Sequence, residues 1–246
     1  MTDFSGVYAN EIYPIVKKEL FGGDSVGKYF GSVMMSHGIK ANSRVLEIAC
    51  GDGTDLHELQ RQGYIVEGLD LSSELLEIAA KNMEGVRFYN LPAEGNWNSM
   101  NGRFSAVCCM MSFVEFDKPR DVCNNVARKT EEGGIFVFDF GNVTGWELGS
   151  EDWEEDLGVW HRKVSRTVRS DGVRVSLYEY SKRRGKEEPI VVALEAYLHG
   201  IFDIAGFLWP WFTIESSFSD LSFDPAKWND DKYVTIVARR NKVPAR

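Results

Sequence analysis

The sequence lacks the marks of a membrane-spanning or secreted chain. Its longest apolar candidate, residues 104–114, is interrupted by Ser105 and Ser112, whereas a membrane-spanning helix needs roughly 18 consecutive apolar residues. The opening residues contain neither a basic segment nor an apolar one, so no secretory signal is visible. From these absences we expect a cytoplasmic protein that has no membrane partner.

Cysteine, histidine and positive charge are also scarce. The chain has four cysteines and four histidines, and neither set shows the spacing of a metal site or of a disulfide framework. We therefore interpret the thiols as reduced and mostly buried, and we assign no metal. With 28 Lys and Arg against 37 Asp and Glu, the formal net charge is -9. This balance argues against a nucleic-acid partner, because phosphate neutralisation needs clustered positive charge.

The composition is that of an ordinary globular domain. Hydrophobic residues make up 43% of the 246 residues and charged residues 26%, which is enough apolar material for one full core. We therefore interpret residues 1–246 as a single domain. Apolar residues recur at three-to-four spacing through residues 8–38, with a break at Gly22 and Gly23. This pattern predicts an N-terminal helical cap over residues 1–40.

Short apolar runs alternate with longer amphipathic segments through most of the chain. Near-continuous apolar strands separated by helix-length connections indicate a parallel sheet with helices on both faces. The pattern therefore predicts a doubly wound α/β fold. The predicted strands are residues 44–49, 64–69, 86–89, 104–110, 135–140 and 233–238, and the predicted helices are residues 55–62, 72–82, 119–130 and 194–205.

The pattern changes after the fifth predicted strand. Residues 147–156 are strongly acidic, and residues 159–169 and 173–180 alternate in the manner of a β-hairpin around a Ser-Asp-Gly turn. We interpret residues 147–192 as an inserted antiparallel hairpin that is too small to bury a core of its own. A third strand would have to come from about residues 189–193.

Most of the basic charge of the chain's second half lies in residues 159–186. Nine Lys and Arg stand there against Asp171 and Glu179, and strand alternation would place many of them on one face. Two interpretations remain open. The basic side chains form a solvated outer face that pairs with the acidic segment, or they capture an anionic substrate such as a nucleotide-linked sugar.

The most informative segment is residues 45–54, which read VLEIACGDGT. They predict a strand, a turn containing Gly51 and Gly53, and a helix whose free N–H groups face a ligand. A dinucleotide-binding loop would need a third glycine or alanine where Leu56 stands, and a phosphate-binding loop would need a following Gly-Lys-Ser/Thr. The acidic side chain of Asp52 also disfavours a pyrophosphate at this turn.

A second acidic residue marks the adjacent strand. Asp70 follows Gly53 by 17 residues and ends the second predicted strand. At that position its carboxylate would accept hydrogen bonds from both hydroxyls of a ribose. S-adenosylmethionine fits both parts of the site, because its ribose needs an acid and its sulfonium and ammonium groups are cationic.

These segments resemble the class I S-adenosylmethionine-dependent methyltransferases. The resemblance rests on residues 47–53, 68–72, 133–138 and 205–207, and it extends over nearly the whole chain. Within that family the chain is similar to small-molecule N- and O-methyltransferases, particularly the deoxysugar N-methyltransferases and the glycine N-methyltransferase type. The resemblance implies a seven-stranded, mostly parallel Rossmann-like sheet with an antiparallel last strand. It also implies that the insertion after the fifth strand covers the substrate.

The resemblance assigns residues to the cofactor as well. The methionine part of S-adenosylmethionine would lie on the first strand end and the glycine turn, the ribose on Asp70 and the adenine beside Leu71. Asn90 and Glu94 are alternative partners for the adenine edge, and Met110 would lie near the sulfonium. The full set implied is Glu47, Ala49, Gly51, Gly53, Asp70, Leu71, Asn90, Ala93, Glu94 and Met110.

The activity that the resemblance implies is methyl transfer to an N or O atom of a small-molecule acceptor, which leaves S-adenosylhomocysteine. The reaction is an in-line displacement, and positioning alone can supply about 7–11 kcal/mol of the barrier. A base is needed only if the acceptor arrives protonated. Glu115 is the nearest ionisable residue beyond the fourth strand, and Tyr8 and Tyr13 are candidates for closing over the site. We expect a monomer or a homodimer.

Other classes of protein remain open at this point. A relative that binds the cofactor without transferring its methyl group would have the same turn and the same acid. A methyltransferase for macromolecules is disfavoured, because the fourth strand ends in Cys109-Met-Met-Ser112. Enzymes that methylate nucleobase amines or glutamine carry an Asn/Asp-Pro-Pro-aromatic motif there. A dinucleotide oxidoreductase is disfavoured by Leu56.

Overall fold

The computed structural model describes residues 25–183 and 188–242 of the chain. The helical cap predicted over residues 1–40 therefore lies partly outside the described residues. Its last helix, α1 (Ser25–Ser36), can be placed. This helix buries one apolar stripe against the sheet, as its three-to-four spacing predicts.

Eleven strands and four further α-helices follow α1 in the described residues, together with two short 3₁₀ helices. The strands are β1 (Arg44–Ile48), β2 (Ile65–Asp70), β3 (Arg87–Asn90), β4 (Phe104–Cys109), β5 (Thr130–Gly141), β6 (Gly149–Leu157), β7 (Trp160–Val168), β8 (Val173–Lys182), β9 (Ile190–Tyr197), β10 (Phe212–Ser219) and β11 (Tyr233–Arg240). The helices are α2 (Thr54–Arg61), α3 (Ser73–Asn82), α4 (Pro119–Lys129) and α5 (Ile201–Leu208).

The main sheet has seven strands in the order β10-β11-β5-β4-β1-β2-β3. Strands β1 to β5 pair in parallel, whereas β11 is antiparallel to both of its neighbours, β5 and β10. The predicted doubly wound, mostly parallel sheet is therefore confirmed. Because the parallel strands end at one edge, the turns after β1, β2 and β4 meet there, which is where ligands bind in such folds.

Both faces of the sheet are covered, so successive residues of each central strand are buried on opposite sides. In β5, Phe136 and Phe138 pack with residues of α4 and α5, whereas Ile135 and Val137 pack with residues of α1 and α2. Each such side chain contributes about 1.5–3 kcal/mol when it is fully buried. This two-sided burial explains why the strands read as continuous apolar runs.

The insertion differs from the single hairpin that the sequence predicts. Strands β6, β7, β8 and β9 form a four-stranded antiparallel sheet in that order. The acidic segment forms β6 and pairs along its length with the basic strand β7, because opposite charges on directly opposed residues stabilise a strand pair. The prediction that the insertion buries no core of its own was also wrong, since Trp160, Tyr180 and Val192 form a buried apolar cluster within it.

The helix predicted over residues 194–205 begins later than expected. Residues 190–197 form β9, in which Leu194 lies opposite Ser176 of β8, and the helix is α5. The Ala, Leu and Glu residues of this segment favour a helix locally. Pairing along the edge of β8 overrides that preference.

Three further findings concern the described residues as a whole. None of the helices in residues 25–183 and 188–242 has the length and apolar character needed to cross a membrane. Within the same ranges, no three His, Cys, Asp or Glu side chains are grouped as metal ligands would be. The four cysteines are buried and form no disulfide among the described residues, and burial raises the pKa of Cys108 and Cys109 well above the usual thiol range.

Candidate cofactor and acceptor site

The turn after β1 has a backbone that favours glycine. Ala49, Gly51 and Gly53 have φ angles of 56°, 54° and 79°, in the left-handed region. A Cβ atom on Gly53 would lie 3.1 Å from the Cβ of Ala79 and 3.0 Å from the sulfur of Met83. The turn therefore depends on glycine both for its φ angle and for the close approach of α2 to α3.

The acidic side chain within this turn has a local partner. Asp52 Oδ1 accepts hydrogen bonds from the backbone N–H of Thr54 at 3.1 Å and from the Thr54 hydroxyl at 2.8 Å. These bonds satisfy one of the N–H groups that have no partner at the start of a helix. Asp52 thus stabilises the beginning of α2, which accounts for an acid inside the turn.

Asp70 joins the turn to the neighbouring strand. Its Oδ2 atom accepts the N–H of Gly51 at 2.8 Å, and its Oδ1 atom accepts the N–H of Ser72 at 2.8 Å. A carboxylate accepts about four hydrogen bonds, so both oxygens retain capacity for the hydroxyls of a ligand. Burial raises the pKa of Asp70, although hydrogen bonds from neighbouring backbone N–H groups oppose that shift. The group is fixed in orientation by two separate segments of the chain.

Glu47 places a second carboxylate at the same edge. It lies one residue before the end of β1, opposite Gly68 of β2 and Cys108 of β4, and it is 2% exposed. Its side chain is on the face covered by α1 and α2, since Val45, two residues earlier, packs there. A carboxylate in this position complements an ammonium group held beside the turn.

The segments after β2 and β3 extend this edge. Leu71 follows Asp70 and is 55% exposed, which leaves an apolar surface for a flat ring. Asn90 donates from Nδ2 to the carbonyl of Leu71 at 2.8 Å and to that of Asp70 at 3.2 Å. Asn90 therefore holds the segment after β2 in place. Ala93 is buried, and its carbonyl accepts a hydrogen bond from Asn125 Nδ2 at 3.0 Å.

Glu94, the alternative to Asn90, lines a cavity of about 530 Å³ between the segment after β3 and helix α4. Burial raises the pKa of Glu94, and the nearby carboxylates of Asp117 and Asp121 add to the shift. Asn90 thus contacts the segment after β2, whereas Glu94 lines the cavity beside α4. The cavity is lined by Glu94, Gly95, Asn96, Asn98, Asp121, Asn124, Asn125 and Arg128.

The segment after β4 lies beside the glycine turn, because β4 is next to β1 in the sheet. Met110 is 4% exposed and packs in the apolar cluster under α1 and α2. Glu115 ends a short 3₁₀ helix, Phe113–Glu115, a few residues further on. Tyr8 and Tyr13 lie outside the described residues. The catalytic roles of Glu115, Tyr8 and Tyr13 therefore stay predictions.

Asp139 of β5 is a buried acid that the sequence reasoning missed. Its Oδ1 atom accepts the N–H of Met111 at 2.6 Å, and Met111 has a φ angle of 61°. Asp139 thus fixes the segment after β4 in a conformation that a side chain disfavours. Burial raises the pKa of Asp139 to about 7, and the charge of Asp220 adds to the shift. The sequence signal that could have identified Asp139 is an acid between Phe138 and Phe140 in an otherwise apolar strand.

One face of the insertion sheet carries basic side chains whose role the sequence analysis left open. We call it the arginine face, defined by Arg162 and Arg166 of β7 and by Arg174 and Ser176 of β8. Arg162 and Arg174 are 2% and 9% exposed, so the interpretation of a solvated outer face is wrong for these two residues. The buried atoms of this face that have no hydrogen-bond partner are Arg162 Nε and Nη1, Arg166 Nε, Arg174 Nε and Ser176 Oγ.

Comparison with known proteins shows which proteins share this fold and part of this sequence. Residues 45–134 match the family model described as a methyltransferase domain. A solved S-adenosylmethionine-dependent methyltransferase from Clostridium acetobutylicum superposes with a TM-score of 0.82 at 17% identity, over 95% of this chain and 99% of that one. The S-adenosylmethionine-bound amino pentose methyltransferase from Micromonospora echinaspora superposes with a TM-score of 0.69 at 16% identity, over 92% and 97%.

Curated relatives match a smaller part of the chain. The ubiquinone biosynthesis O-methyltransferase of Alkalilimnicola ehrlichii is 27% identical over 152 residues, which are 52% of this chain and 62% of the relative. The glycine N-methyltransferase of Oryctolagus cuniculus is 29% identical over 133 residues, which are 45% and 43%. The chain thus matches less than two thirds of the length of either relative. Residues 45–134 thus match a methyltransferase domain, and the chain shares the fold of solved S-adenosylmethionine-dependent methyltransferases.

Proposed function

We propose that this chain binds S-adenosylmethionine at the carboxyl edge of β1 and β2 and transfers its methyl group to an N or O atom of a small molecule. The observation that carries this proposal is the double anchoring of Asp70. One carboxylate oxygen holds the glycine turn and the other holds the segment that leads into α3. An acid fixed in this way presents two acceptors to two adjacent hydroxyls, as a ribose requires.

The other residues of the edge fit the remaining parts of the cofactor. Glu47 complements the ammonium group, and the turn through Ala49, Gly51 and Gly53 lets the backbone approach the methionine part closely. The exposed side chain of Leu71 supports the adenine. Ala93 and either Asn90 or Glu94 border the adenine edge, and Met110 lies on the side of the sulfonium.

S-adenosylmethionine, when bound, supplies a methyl group that the positive charge on sulfur already activates. The chain then has to align the acceptor with that methyl group and to exclude water. The apolar segment of Met110 and Met111, which Asp139 holds by a backbone hydrogen bond, provides a fixed wall for this purpose. If the acceptor arrives protonated, a base is needed, and Glu115 is our candidate. Tyr8 and Tyr13 are proposed to close over the acceptor.

A small molecule is the proposed acceptor for two reasons. The relatives are named for ubiquinone biosynthesis and for glycine, and one structural neighbour is named for an amino pentose. In addition, β9 of the insertion sheet packs against the 3₁₀ helix Phe113–Glu115 that follows β4, which supports our proposal that this sheet covers the space beside the methyl group and excludes a large substrate.

The test is to incubate the purified protein with methyl-labelled S-adenosylmethionine and a fractionated metabolite extract. The proposal predicts a small-molecule product, detected by mass spectrometry, in which one methyl replaces one hydrogen. Asp70→Ala should abolish this product, whereas Glu77→Gln, which changes an exposed acid on α3, should leave it unchanged. Cofactor binding without any labelled product would overturn the transferase assignment. A labelled macromolecule in place of a small molecule would overturn the acceptor class.

A further inference from the structure

Trp146 lies among three cationic side chains. The guanidinium carbons of Arg166 and Arg174 are 5.2 Å and 4.8 Å from the centre of a ring of Trp146, and the Lys232 ammonium is 4.7 Å from it. We call Trp146, Arg166, Arg174, Ser176 and Lys232 the Trp146 patch. Like charges this close repel one another, so the arrangement favours a nearby negative charge.

The patch contains more positive charge than its recorded partners neutralise. Arg166 pairs with Glu151 at 3.0 Å, and the Glu151 side chain is 56% exposed. Arg174 donates to the uncharged hydroxyl of Tyr233. No ion pair of Arg174 or Lys232 is recorded among residues 25–183 and 188–242. An anionic group bound here would meet two cations that no carboxylate of these ranges already occupies.

The patch also holds buried donors that have no acceptor. Arg166 Nε, Arg174 Nε and Ser176 Oγ are buried and without a hydrogen-bond partner. In the strand register, Arg166 lies opposite Ser176, and Arg174 is two residues before Ser176 on the same face. A buried polar group without a partner is unfavourable, so these three groups together indicate the position of an absent acceptor.

The position of the patch connects it to the transfer site. Trp146 follows the carboxyl end of β5 after one short 3₁₀ helix, Val143–Gly145. Asn142, in this connection, pairs with His199 in an isolated bridge, which brings the end of the insertion to the same edge. The patch therefore lies beyond the sheet edge at which β2 ends with Asp70 and β4 ends just before Met110.

We propose that the Trp146 patch binds an anionic oxygen group of the acceptor, a carboxylate or a phosphate. This inference rests on the proposed function in one respect, namely that the anionic group belongs to the molecule that accepts the methyl group. The arginine nitrogens and the Ser176 hydroxyl donate to the anion, Lys232 neutralises it, and Trp146 fixes the two guanidinium groups by cation–π contact. The acceptor class is thereby narrowed to small anionic nucleophiles.

The test measures anion binding in the absence of any cofactor. Inorganic phosphate and, separately, acetate are titrated into the purified full-length protein, and binding is followed by calorimetry and by phosphorus NMR line broadening. We expect saturable binding of one of the two anions, and the preferred anion distinguishes a phosphate from a carboxylate acceptor. Lys232→Gln and Arg174→Gln should each weaken binding about tenfold.

Arg169→Gln is the matched control. Arg169 lies in the turn between β7 and β8, its side chain is 52% exposed, and it pairs with Asp171, so its loss should leave anion binding unchanged. If Arg174→Gln fails to fold, Lys232→Gln decides, because the recorded contact of the Lys232 side chain is with Trp146. Non-saturable binding, or equal weakening by Arg169→Gln, would overturn the inference.

The outcomes also separate this inference from the proposed function. Anion binding without methyl transfer would support the anion site and contradict the transferase assignment. Methylation of a small molecule without binding of either anion would support the transferase assignment and contradict the anion site.

Discussion

The glycine turn and the arginine face satisfy their polar groups in different ways. At the turn, Asp52 and Asp70 accept hydrogen bonds from the backbone of the turn and its flanking segments. On the arginine face, long side chains are buried while several of their N–H groups have no acceptor. The first region is complete as a protein structure and offers remaining acceptors to a ligand. In the second region, buried donors have no acceptor among the described residues, as the proposed anion site requires.

The largest effect of a substitution is expected at Asp70, whose carboxylate holds the glycine turn in place. Asp70→Asn replaces one accepting oxygen by an amide that cannot accept from Gly51 or Ser72. The variant thus loses a backbone bond and the charge that a ribose hydroxyl would meet. Hydrogen bonds to charged groups contribute about 1.5–3 kcal/mol each, so we expect the affinity for S-adenosylmethionine to fall about 100-fold or more. Calorimetry measures this affinity, and an unchanged dissociation constant would show that Asp70 does not contact the cofactor.

The second prediction concerns stability against pH. Asp139 has its pKa raised from 3.8 to about 7 in the folded protein, so the folded state binds more protons than the unfolded state between these values. The free energy of unfolding should therefore fall as the pH rises from about 4 to about 7, by about 1.4 kcal/mol for each pH unit. Asp139→Asn keeps an acceptor for Met111 and should remove this slope.

Urea unfolding of both proteins at pH 5 and pH 7 gives the comparison. The exposed Asp230→Asn variant should follow the wild type at both values. Parallel pH profiles for the wild type and Asp139→Asn would show that Asp139 is ionised in the folded protein throughout this range.

A smaller loss is expected at the turn itself. Gly53→Ala places a Cβ at a φ angle of 79° and within 3.1 Å of the Cβ of Ala79. The left-handed conformation costs a side chain about 1–2 kcal/mol, and the contact adds to it. We expect a loss of about 2 kcal/mol in unfolding free energy, measured by denaturation, together with weaker cofactor binding. Gly85→Ala is the control, because its φ angle is also 79° but nothing lies within 4 Å of an added Cβ.

The smallest effect is expected on the arginine face. Arg162 is buried beside the rings of Tyr178 and Tyr180 and bonds to Glu155. The double variant Arg162→Met with Glu155→Gln removes both charges of this ion pair and keeps an acceptor for Trp153. Replacing both members of an ion pair is often neutral or stabilising, whereas removing one member alone is destabilising. We expect a change in unfolding free energy within about 1 kcal/mol. A loss as large as that of Gly53→Ala would mean that both regions are equally complete, which contradicts the comparison.

The two regions also differ in how far their contacts could be predicted from the sequence. Gly51, Gly53 and Asp70 lie within 20 residues of one another and belong to consecutive strands, so their spacing predicts their meeting. The contact of Trp146 with Lys232 joins residues 86 positions apart, and no local pattern indicates it. The four-stranded insertion was missed for a similar reason. The closely spaced acids of β6 are typical of a solvated segment, and their partners on β7 are known only from the structure.

Asp139 is the second feature whose role could not be predicted from the sequence. One acid within an apolar strand is visible in the sequence, but its role depends on the backbone of Met111 in the next segment of the sheet. Its position facing α1 and not α4 follows from the alternation of β5 once the strand's register is known.

Isothermal titration of the purified protein with S-adenosylhomocysteine tests the central claim most directly. The account predicts saturable binding to one site per chain in the wild type and the loss of this binding in Asp70→Ala, with Glu77→Gln unaffected. No heat in the wild type, or identical titrations for the wild type and Asp70→Ala, would contradict it.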